Sequence, residues 1–410
     1  MSLVNRAWRP FFGRAWKPLI FHGEGFVPLP ADRKVEEESL PDYIASRYYP
    51  VRIGDIFRAR YQVMGKLGYG ATSTIWLARD LRYYVALKLS IDSKSLGTEQ
   101  DDELEIYKCI EASPKDHPGR GAVRILLDSF DIHGPDGQHR CLVHPPLWET
   151  LLDVRHRNPI PRLPSLVIAL VLQRLFQALD LLHTACHVAH TDIKEMNILF
   201  GADYYVLRAF EQEELSKPSP RKELDGGTIY LSRRLDKPKK IGAPVLCDFG
   251  SAVRLDDGME HREDIQSDVY RAPEIILDIP WTYSVDTWNV GCMIWDAFEG
   301  EHLFTGQDPE HETYRGRAHL AEMIALLGPP PASLLARANL RSEFFSADGE
   351  LCAGIAIPDP TPLEERATCL EGEERVCFLR FMRKMLQWEP EKRSSARELA
   401  EDEWILMQSK

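Results

Sequence analysis

The stretch His190-Thr191-Asp192-Ile193-Lys194-Glu195-Met196-Asn197 sets an Asp, a Lys two positions on and an Asn five positions on in one short loop, with Asp248-Phe249-Gly250 downstream. That spacing suits a loop that must face a hydroxyl, a transferring phosphate and a metal ion at once. Asp192 is placed to orient the hydroxyl and accept its proton, Lys194 to neutralise charge on a γ-phosphate, and Asn197 and Asp248 each to hold a Mg²⁺. Phosphoryl transfer rests mostly on positioning and electrostatics, so few further groups are required. Either short motif alone is equally compatible with an ordinary polar surface loop, and only the surrounding chain separates the two readings.

Toward the N-terminus, residues 61–67, 74–79 and 84–89 are rich in β-branched and aromatic side chains and predict an antiparallel meander. Leu67-Gly68-Tyr69-Gly70-Ala71-Thr72-Ser73-Thr74-Ile75 joins the first two segments. Its glycines let backbone close over phosphates, Leu67 and Ile75 are spaced to sandwich a purine, and Ser73 takes the place of the usual third glycine. A tight hairpin with no ligand fits the same residues. A dinucleotide-binding fold is excluded, because a strand follows this loop where that fold needs a helix. Val85-Ala86-Leu87-Lys88 puts a lysine on a strand at the position for an α/β-phosphate contact. A helix is predicted over 101–111, and of its acids Glu103 and Glu105 the expected partner of Lys88 is Glu105, flanked by Leu104, Ile106 and Ile110. Residues 139–147 predict a strand entering a connector. With an adenine bound there, Pro145 offers a carbonyl acceptor, Leu147 an amide donor, and His144 guards the inner pocket.

A helix is predicted over 165–185, with Ser165 as its cap, and it delivers the chain to His190, read as a packed scaffold histidine. Residues 203–242, holding Lys217-Pro218-Ser219-Pro220 and Gly226-Gly227, read as a partly disordered insertion. An acidic loop ends in Tyr270-Arg271-Ala272-Pro273-Glu274, and Glu274 is expected to pair internally with Arg393, since a buried carboxylate without a cation is costly. A helix over 283–298 carries Asp286, expected to accept backbone hydrogen bonds from the loop at His190. Further helices are predicted over 320–327, 374–386 and 394–404, the last capped by Ser394 or Ser395.

At 410 residues and 44% apolar content the chain can bury a large core, expected as two lobes. The longest apolar stretch, 166–182, is broken by Gln173, Arg174 and Asp180, so no membrane span is expected. Eight scattered cysteines without a Cys-x-x-Cys pair argue against zinc and for reduced thiols inside the cell. A net charge of −13 disfavours nucleic acid as a direct partner and suits a basic polypeptide, and simple solubility accounts for it at least as well. Residues 1–20 carry Arg6, Arg9, Arg14 and Lys17 among Trp8, Phe11, Phe12 and Trp16. A mitochondrial or membrane-surface targeting segment is one reading, but the shortage of serine and the presence of Pro10 favour an arm packed on the domain. Glu36, Glu37 and Glu38 read as a solvated linker face.

Taken in order, Gly68 and Gly70, Lys88, Asp192, Lys194 and Asn197, Asp248-Phe249-Gly250, Ala272-Pro273-Glu274 and Arg393 resemble the eukaryotic protein kinase family over residues 61–404. The resemblance implies an α+β, bilobal protein kinase fold, with a small antiparallel β lobe carrying one main helix and a larger, mostly helical lobe. It implies an N-terminal extension over 1–50, an ATP-binding lobe over 51–147 and a second lobe over 148–410 holding the insert. It implies ATP and Mg²⁺, with Asp192, Lys194, Lys88 and Glu105 as catalytic groups and Asn197 and Asp248 as metal ligands. ATP contacts are implied for Leu67, Gly68, Tyr69, Gly70, Ser73, Ile75, Ala86, Lys88, Pro145 and Leu147, and structural roles for Glu274, Arg393 and Asp286.

Within that fold, Tyr49-Pro50-Val51-Arg52-Ile53-Gly54-Asp55, Lys66-Leu67-Gly68-Tyr69-Gly70, Ser73-Thr74-Ile75-Trp76-Leu77, His190-Thr191-Asp192-Ile193-Lys194 and Glu263-Asp264-Ile265-Gln266 look like the SR-protein kinase (SRPK) family of the CMGC group, here with a short spacer. This implies a monomeric serine/threonine kinase of cytoplasm or nucleus acting on Arg/Ser-rich segments of splicing-factor type. The chain departs from that family at two places. Glu195-Met196 stands where Pro-Glu is usual. Gly316, Arg317 and Ala325 stand where the docking groove has acids, with Asp308, Glu310, Glu312 and Glu322 expected to compensate in part. Thr191 replaces the arginine that in many kinases grips a phosphorylated activation loop, so activity is expected not to need that phosphate. The rival reading is a pseudokinase scaffold that binds nucleotide or partners without turnover. A small-molecule kinase is disfavoured by Ala272-Pro273-Glu274 and Arg393.

Overall fold

The computed structural model describes residues 16–21, 25–80, 83–96 and 99–408. Arg6, Trp8, Arg9, Phe11, Phe12 and Arg14 of the expected N-terminal arm lie outside the described residues. The chain forms two compact units, and neither is continuous in sequence. The first comprises Met1–Glu111, Arg124–Glu149 and Leu199–Ala243, the second Ala112–Val123, Thr150–Ile198 and Pro244–Lys410.

The first unit is built on a six-stranded antiparallel sheet in the order β1-β2-β3-β4-β6-β5. Its strands are β1 (Ile56–Phe57), β2 (Tyr61–Tyr69), β3 (Ser73–Arg79), β4 (Tyr84–Asp92), β5 (Asp128–His133) and β6 (Gln138–His144). Alternation brings Val63, Trp76, Ala78, Val85, Leu87, Cys141 and Val143 into one buried cluster with Phe57, Tyr61 and Phe130. One helix, α1 (Glu99–Ala112), belongs to this unit almost entirely; its Glu103, Ile106, Tyr107 and Ile110, at helical spacing, are buried.

The insert differs from the disordered segment expected of its composition, and it belongs to the first unit rather than to a lobe spanning 148–410. It opens with a helix, Tyr204–Ser216, capped by the Asp203 carboxylate on the Val206 amide at 3.0 Å, and continues as a hairpin, Arg221–Leu224 with Gly227–Tyr230. Tyr230 joins the sheet's core cluster. Phe210 lies so close to Gly65 of β2 that a Cβ there would sit 2.7 Å from its ring, so glycine is what admits the insert helix. Composition misleads here because the polar residues are paired. Glu214 accepts from the Ser219 amide and hydroxyl at 2.8 and 2.7 Å and from Arg233 at 3.0 Å.

Glu36, Glu37 and Glu38 are likewise not a solvated face. Glu37 and Glu38 are buried; Glu38 holds Lys222 of the insert at 2.9 Å, Glu36 accepts from Ser232, and Lys66 of β2, itself fully buried, pairs with Glu37 and with Glu36. Buried charge persists only when matched in this way.

In the second unit, α2 (Ser165–Leu181) buries Ile168, Leu172, Leu175, Phe176 and Leu179, while Leu166 and Leu170 are exposed. Pro164, not Ser165, occupies its cap position, without a side-chain hydrogen bond. Among the described residues Ser165–Cys186 is the one helix long and apolar enough to cross a membrane, and most of it is buried inside this unit. The segment Ala112–Val123 joins the unit because Gly119 rests on α2: a Cβ there would fall 2.0 Å from the Gln177 carbonyl oxygen. The central helix, α3 (Ser284–Glu299), is buried from Val285 to Glu299. Helices α4 (Gly316–Leu327) and α5 (Gly372–Met385) follow, and Phe298, Phe378 and Phe381 enclose Trp404. Ser395 caps the short helix after Arg393, in a reciprocal pair with Glu398.

Candidate active site

In the first unit, β2 and β3 are joined by the glycine-rich hairpin, closed by the Gly70 amide on the Ser73 carbonyl at 2.8 Å. Ile75 faces Gly68 across the pair and Lys88 on the other side, with a register shift between Lys66 and Gly68. Leu67 and Ile75 stay partly open in otherwise buried strands, Gly68 has nothing within 4 Å of where a side chain would begin, and Ala86 is buried beside them on β4. Pro145 is buried and Leu147 half-buried after β6, where His144 is held by a hydrogen bond between Nδ1 and the Ile125 carbonyl at 2.9 Å.

Lys88 donates to both carboxylate oxygens of Glu103, at 2.8 and 3.0 Å. This corrects the expectation of Glu105, which is exposed and pairs with Lys108 at 2.6 Å. The flanking leucine and isoleucines mark the core face of α1, and that face includes Glu103. The strand lysine reaches from the core side, so its partner comes from the buried register.

In the second unit, the loop from Thr191 to Glu195 alternates between buried and open positions, as an extended segment does: Thr191, Ile193 and Glu195 are buried while Asp192 and Lys194 remain half-open. The Asp192 carboxylate takes Lys194 at 2.7 Å, the Asn197 amide at 3.0 Å and the Ser267 hydroxyl at 3.2 Å. Since the amide nitrogen of Asn197 is committed to Asp192, its carbonyl oxygen is the end left for a cation. Asp286, fully buried, accepts from the amides of His190 and Thr191 at 2.8 Å each and contacts His183 Nε2 at 2.8 Å. His190 is buried too, its Nε2 at 3.0 Å from the Cys247 carbonyl, as a scaffold group.

Asp248 follows the strand Pro244–Leu246 with φ of 62°, and Thr191 has φ of 66°. Left-handed backbone at non-glycine residues costs energy and concentrates where side chains must be aimed. Here Phe249 is fully buried beside His190 while Asp248 is exposed. Thr191 donates its hydroxyl to the Ser251 carbonyl at 2.6 Å, which ties the loop around Asp192 to the segment after Asp248.

Glu274 and Arg393 form a two-pronged pair at 2.6 and 2.7 Å with both side chains fully buried, and Arg393 also donates to the carbonyls of Ser284 and Gln387. Several contacts were invisible to sequence spacing. Glu195 is gripped by Arg155 at 2.9 and 2.7 Å, and burial raises its pKa despite that cation. Met196 beside it is exposed. Tyr270 and His302 both bond to Asp296, at 2.5 and 2.7 Å, and the carboxylate raises the imidazole's pKa.

The acids expected to compensate in the docking region are largely spent internally. Arg317 forks onto Asp308 at 2.5 and 3.1 Å and reaches Glu310 at 2.5 Å, holding both carboxyls below the usual range. Glu322 binds the Thr305 and Gly306 amides at 2.7 and 3.0 Å, and Glu312 is exposed. Asp308, Glu310 and His311 have metal-like spacing, but Arg317 already supplies the cation.

The profile of the protein kinase domain matches residues 61–405. A serine/threonine protein kinase of Aspergillus fumigatus is 42% identical over 389 residues, covering 93% of this chain and 94% of that one. The serine/threonine-protein kinase SRPK of Physarum polycephalum is 29% identical, covering 90% of this chain and 91% of its own. Human SRSF protein kinase 3 is 25% identical, with 90% of each chain covered. A crystallographic kinase domain superposes with a TM-score of 0.67 at 23% identity, over 88% of this chain and 99% of that one.

Proposed function

The chain belongs to the protein kinase family, as a serine/threonine protein kinase with SRPK relatives, and from that premise we propose that it phosphorylates serine within basic, arginine-rich protein segments. What carries the substrate reading is likeness over about nine-tenths of the chain to relatives named for SR-protein substrates, joined to a net charge of −13. Electrostatic attraction then favours a cationic polypeptide.

The chemistry follows from the two sets of groups. Lys88, fixed by Glu103, carries the positive charge that meets the nucleotide's phosphates, and the open hairpin at Gly68 lets backbone amides approach them. Asp192 accepts the proton of the serine hydroxyl as that oxygen bonds to the γ-phosphorus and the bond to the β,γ-bridging oxygen breaks, releasing ADP, while Lys194, 2.7 Å from the Asp192 carboxylate, offers positive charge to the transferring group. Protein kinases use ATP with a divalent metal ion, and the hard oxygen donors of Asn197 and Asp248 suit Mg²⁺. Bound there, such an ion supplies charge neutralisation for the phosphate oxygens. Thr191, buried and bonded to the Ser251 carbonyl, stands where many kinases have the arginine that answers an activation-loop phosphate, which supports activity without that phosphate. An intracellular site of action, cytoplasm or nucleus, suits the eight free cysteines.

Arg317 holds Asp308 and Glu310, and Arg155 holds the buried Glu195, so substrate guanidinium groups are met instead by Glu260, Glu263 and Asp264 of the activation segment, whose own pairs with Arg262, His261 and Arg271 lie at the surface and can exchange for a substrate arginine. The test is kcat/KM on a peptide of Arg-Ser repeats against the same peptide with each Arg replaced by Gln. A loss of about tenfold or more for the Gln peptide is expected; equal rates would rule out arginine recognition.

A further inference from the structure

We infer that the N-terminal extension is part of the nucleotide-binding apparatus, with Tyr48 as a positioning residue for the glycine-rich hairpin. The inference rests on the kinase reading above. Extension contacts bracket the hairpin at its base and at its tip.

At the base, Lys66 directly precedes Leu67 within β2 and is completely buried. Its ammonium group is held by Glu37 and, at 3.3 Å, by Glu36, both on the extension turn Glu36–Ser39. The insert completes the clamp: the Tyr230 carbonyl lies 3.3 Å from Lys66 Nζ, and the Arg233 amide donates to the Lys66 carbonyl at 2.9 Å. A buried ammonium wired to two carboxylates fixes the strand just ahead of Leu67 and Gly68.

At the tip, the Tyr48 hydroxyl lies 3.1 Å from the Gly70 carbonyl and 2.9 Å from the Ala71 carbonyl, so one O–H donates to a pair of successive backbone acceptors. Tyr48 is itself placed by the turn Ala45–Arg47, whose Ala45 carbonyl takes its amide at 3.1 Å, and by the Tyr43 ring at 5.2 Å. Between the two anchors lies Gly68, opposite Ile75 in the β2–β3 pair and with open space where a side chain would begin.

Left to itself, such a glycine segment samples many backbone states, and closing over phosphates freezes them. A loop pinned before the ligand arrives loses less entropy on binding, which appears as tighter nucleotide affinity without any contact between tyrosine and nucleotide. Tyr48 therefore acts on ATP binding and leaves the peptide and the phosphoryl step alone.

The experiment uses the full chain with Tyr48→Phe, which keeps the ring against Tyr43 and removes only the hydroxyl. The expected result is an ATP KM raised about two- to tenfold, the range of one lost hydrogen bond, with peptide KM and kcat unchanged. Amide hydrogen exchange should quicken at Gly70 to Ser73 and not in β4. An unchanged ATP KM, or equal increases in both KM values with a lowered Tm, overturns the inference, the second result marking a merely structural tyrosine. A wild-type chain that binds no fluorescent ATP analogue would instead overturn the kinase reading and this one with it.

Discussion

Lys88 distinguishes two glutamates that sequence spacing could not. Glu103 and Glu105 lie two positions apart on α1, nearly opposite one another around the helix, and only the packed strand shows which face it meets. Glu103→Gln should lower kcat/KM on the order of tenfold to a hundredfold, because the lysine loses its fixed position, while Glu105→Gln stays within about twofold. Steady-state kinetics of the two variants check this, and equal losses would contradict it. His302 makes a second residue-level case. Its hydrogen bond to buried Asp296 raises its pKa from the ordinary 6.5, so the folded state holds the proton more tightly than the unfolded one. The stabilisation is complete below the unfolded value and disappears as pH rises through the folded one. His302→Gln should therefore lower Tm at about pH 5.5 and hardly change it at about pH 9, by a modest amount since the ring is half-exposed. A Tm difference that does not vary with pH would contradict the pairing.

Among elements, the legible ones were those whose pattern is complete within a single segment. The strands β2, β3 and β4 and the helices α2 and α3 carry their own periodicity, and Asp286 and Glu274 could be read as buried acids because they sit in apolar helical surroundings. The insert and the residues Glu36 to Glu38 were illegible for one shared reason. Each is polar alone and becomes packable only by neutralising the other, as Lys222 does with Glu38 and Ser232 with Glu36, across nearly two hundred positions of chain. Hydropathy along the sequence cannot register a pairing at that distance. The Glu274–Arg393 pair tests the element scale directly, since it ties the segment after Tyr270 to the turn before the last helices. Glu274→Gln strands a buried guanidinium and should cost about 3–5 kcal/mol in urea unfolding, more than the double variant Glu274→Gln with Arg393→Met. A single-variant loss under about 1 kcal/mol would show that water or another group already satisfies Arg393.

For the molecule as a whole, the motif order disclosed the fold, but the partition of the chain had to come from contacts. Gly119 against Gln177 carries one short segment into the second unit, and Phe210 against Gly65 carries the insert into the first, neither of which follows from linear order. Substrate choice is the least legible property, because Arg317 and Arg155 consume acids that sequence alone leaves available. We propose that the loop that holds Asp192 between Lys194, Asn197 and Ser267 performs phosphoryl transfer. The most direct measurement is single-turnover transfer of labelled γ-phosphate from ATP to a basic serine peptide, wild type against Asp192→Asn, with circular dichroism confirming that both are folded. The account predicts a rate reduced on the order of a thousandfold in the variant, with ATP still bound. Transfer at the wild-type rate by folded Asp192→Asn, or no transfer by either protein, would contradict it.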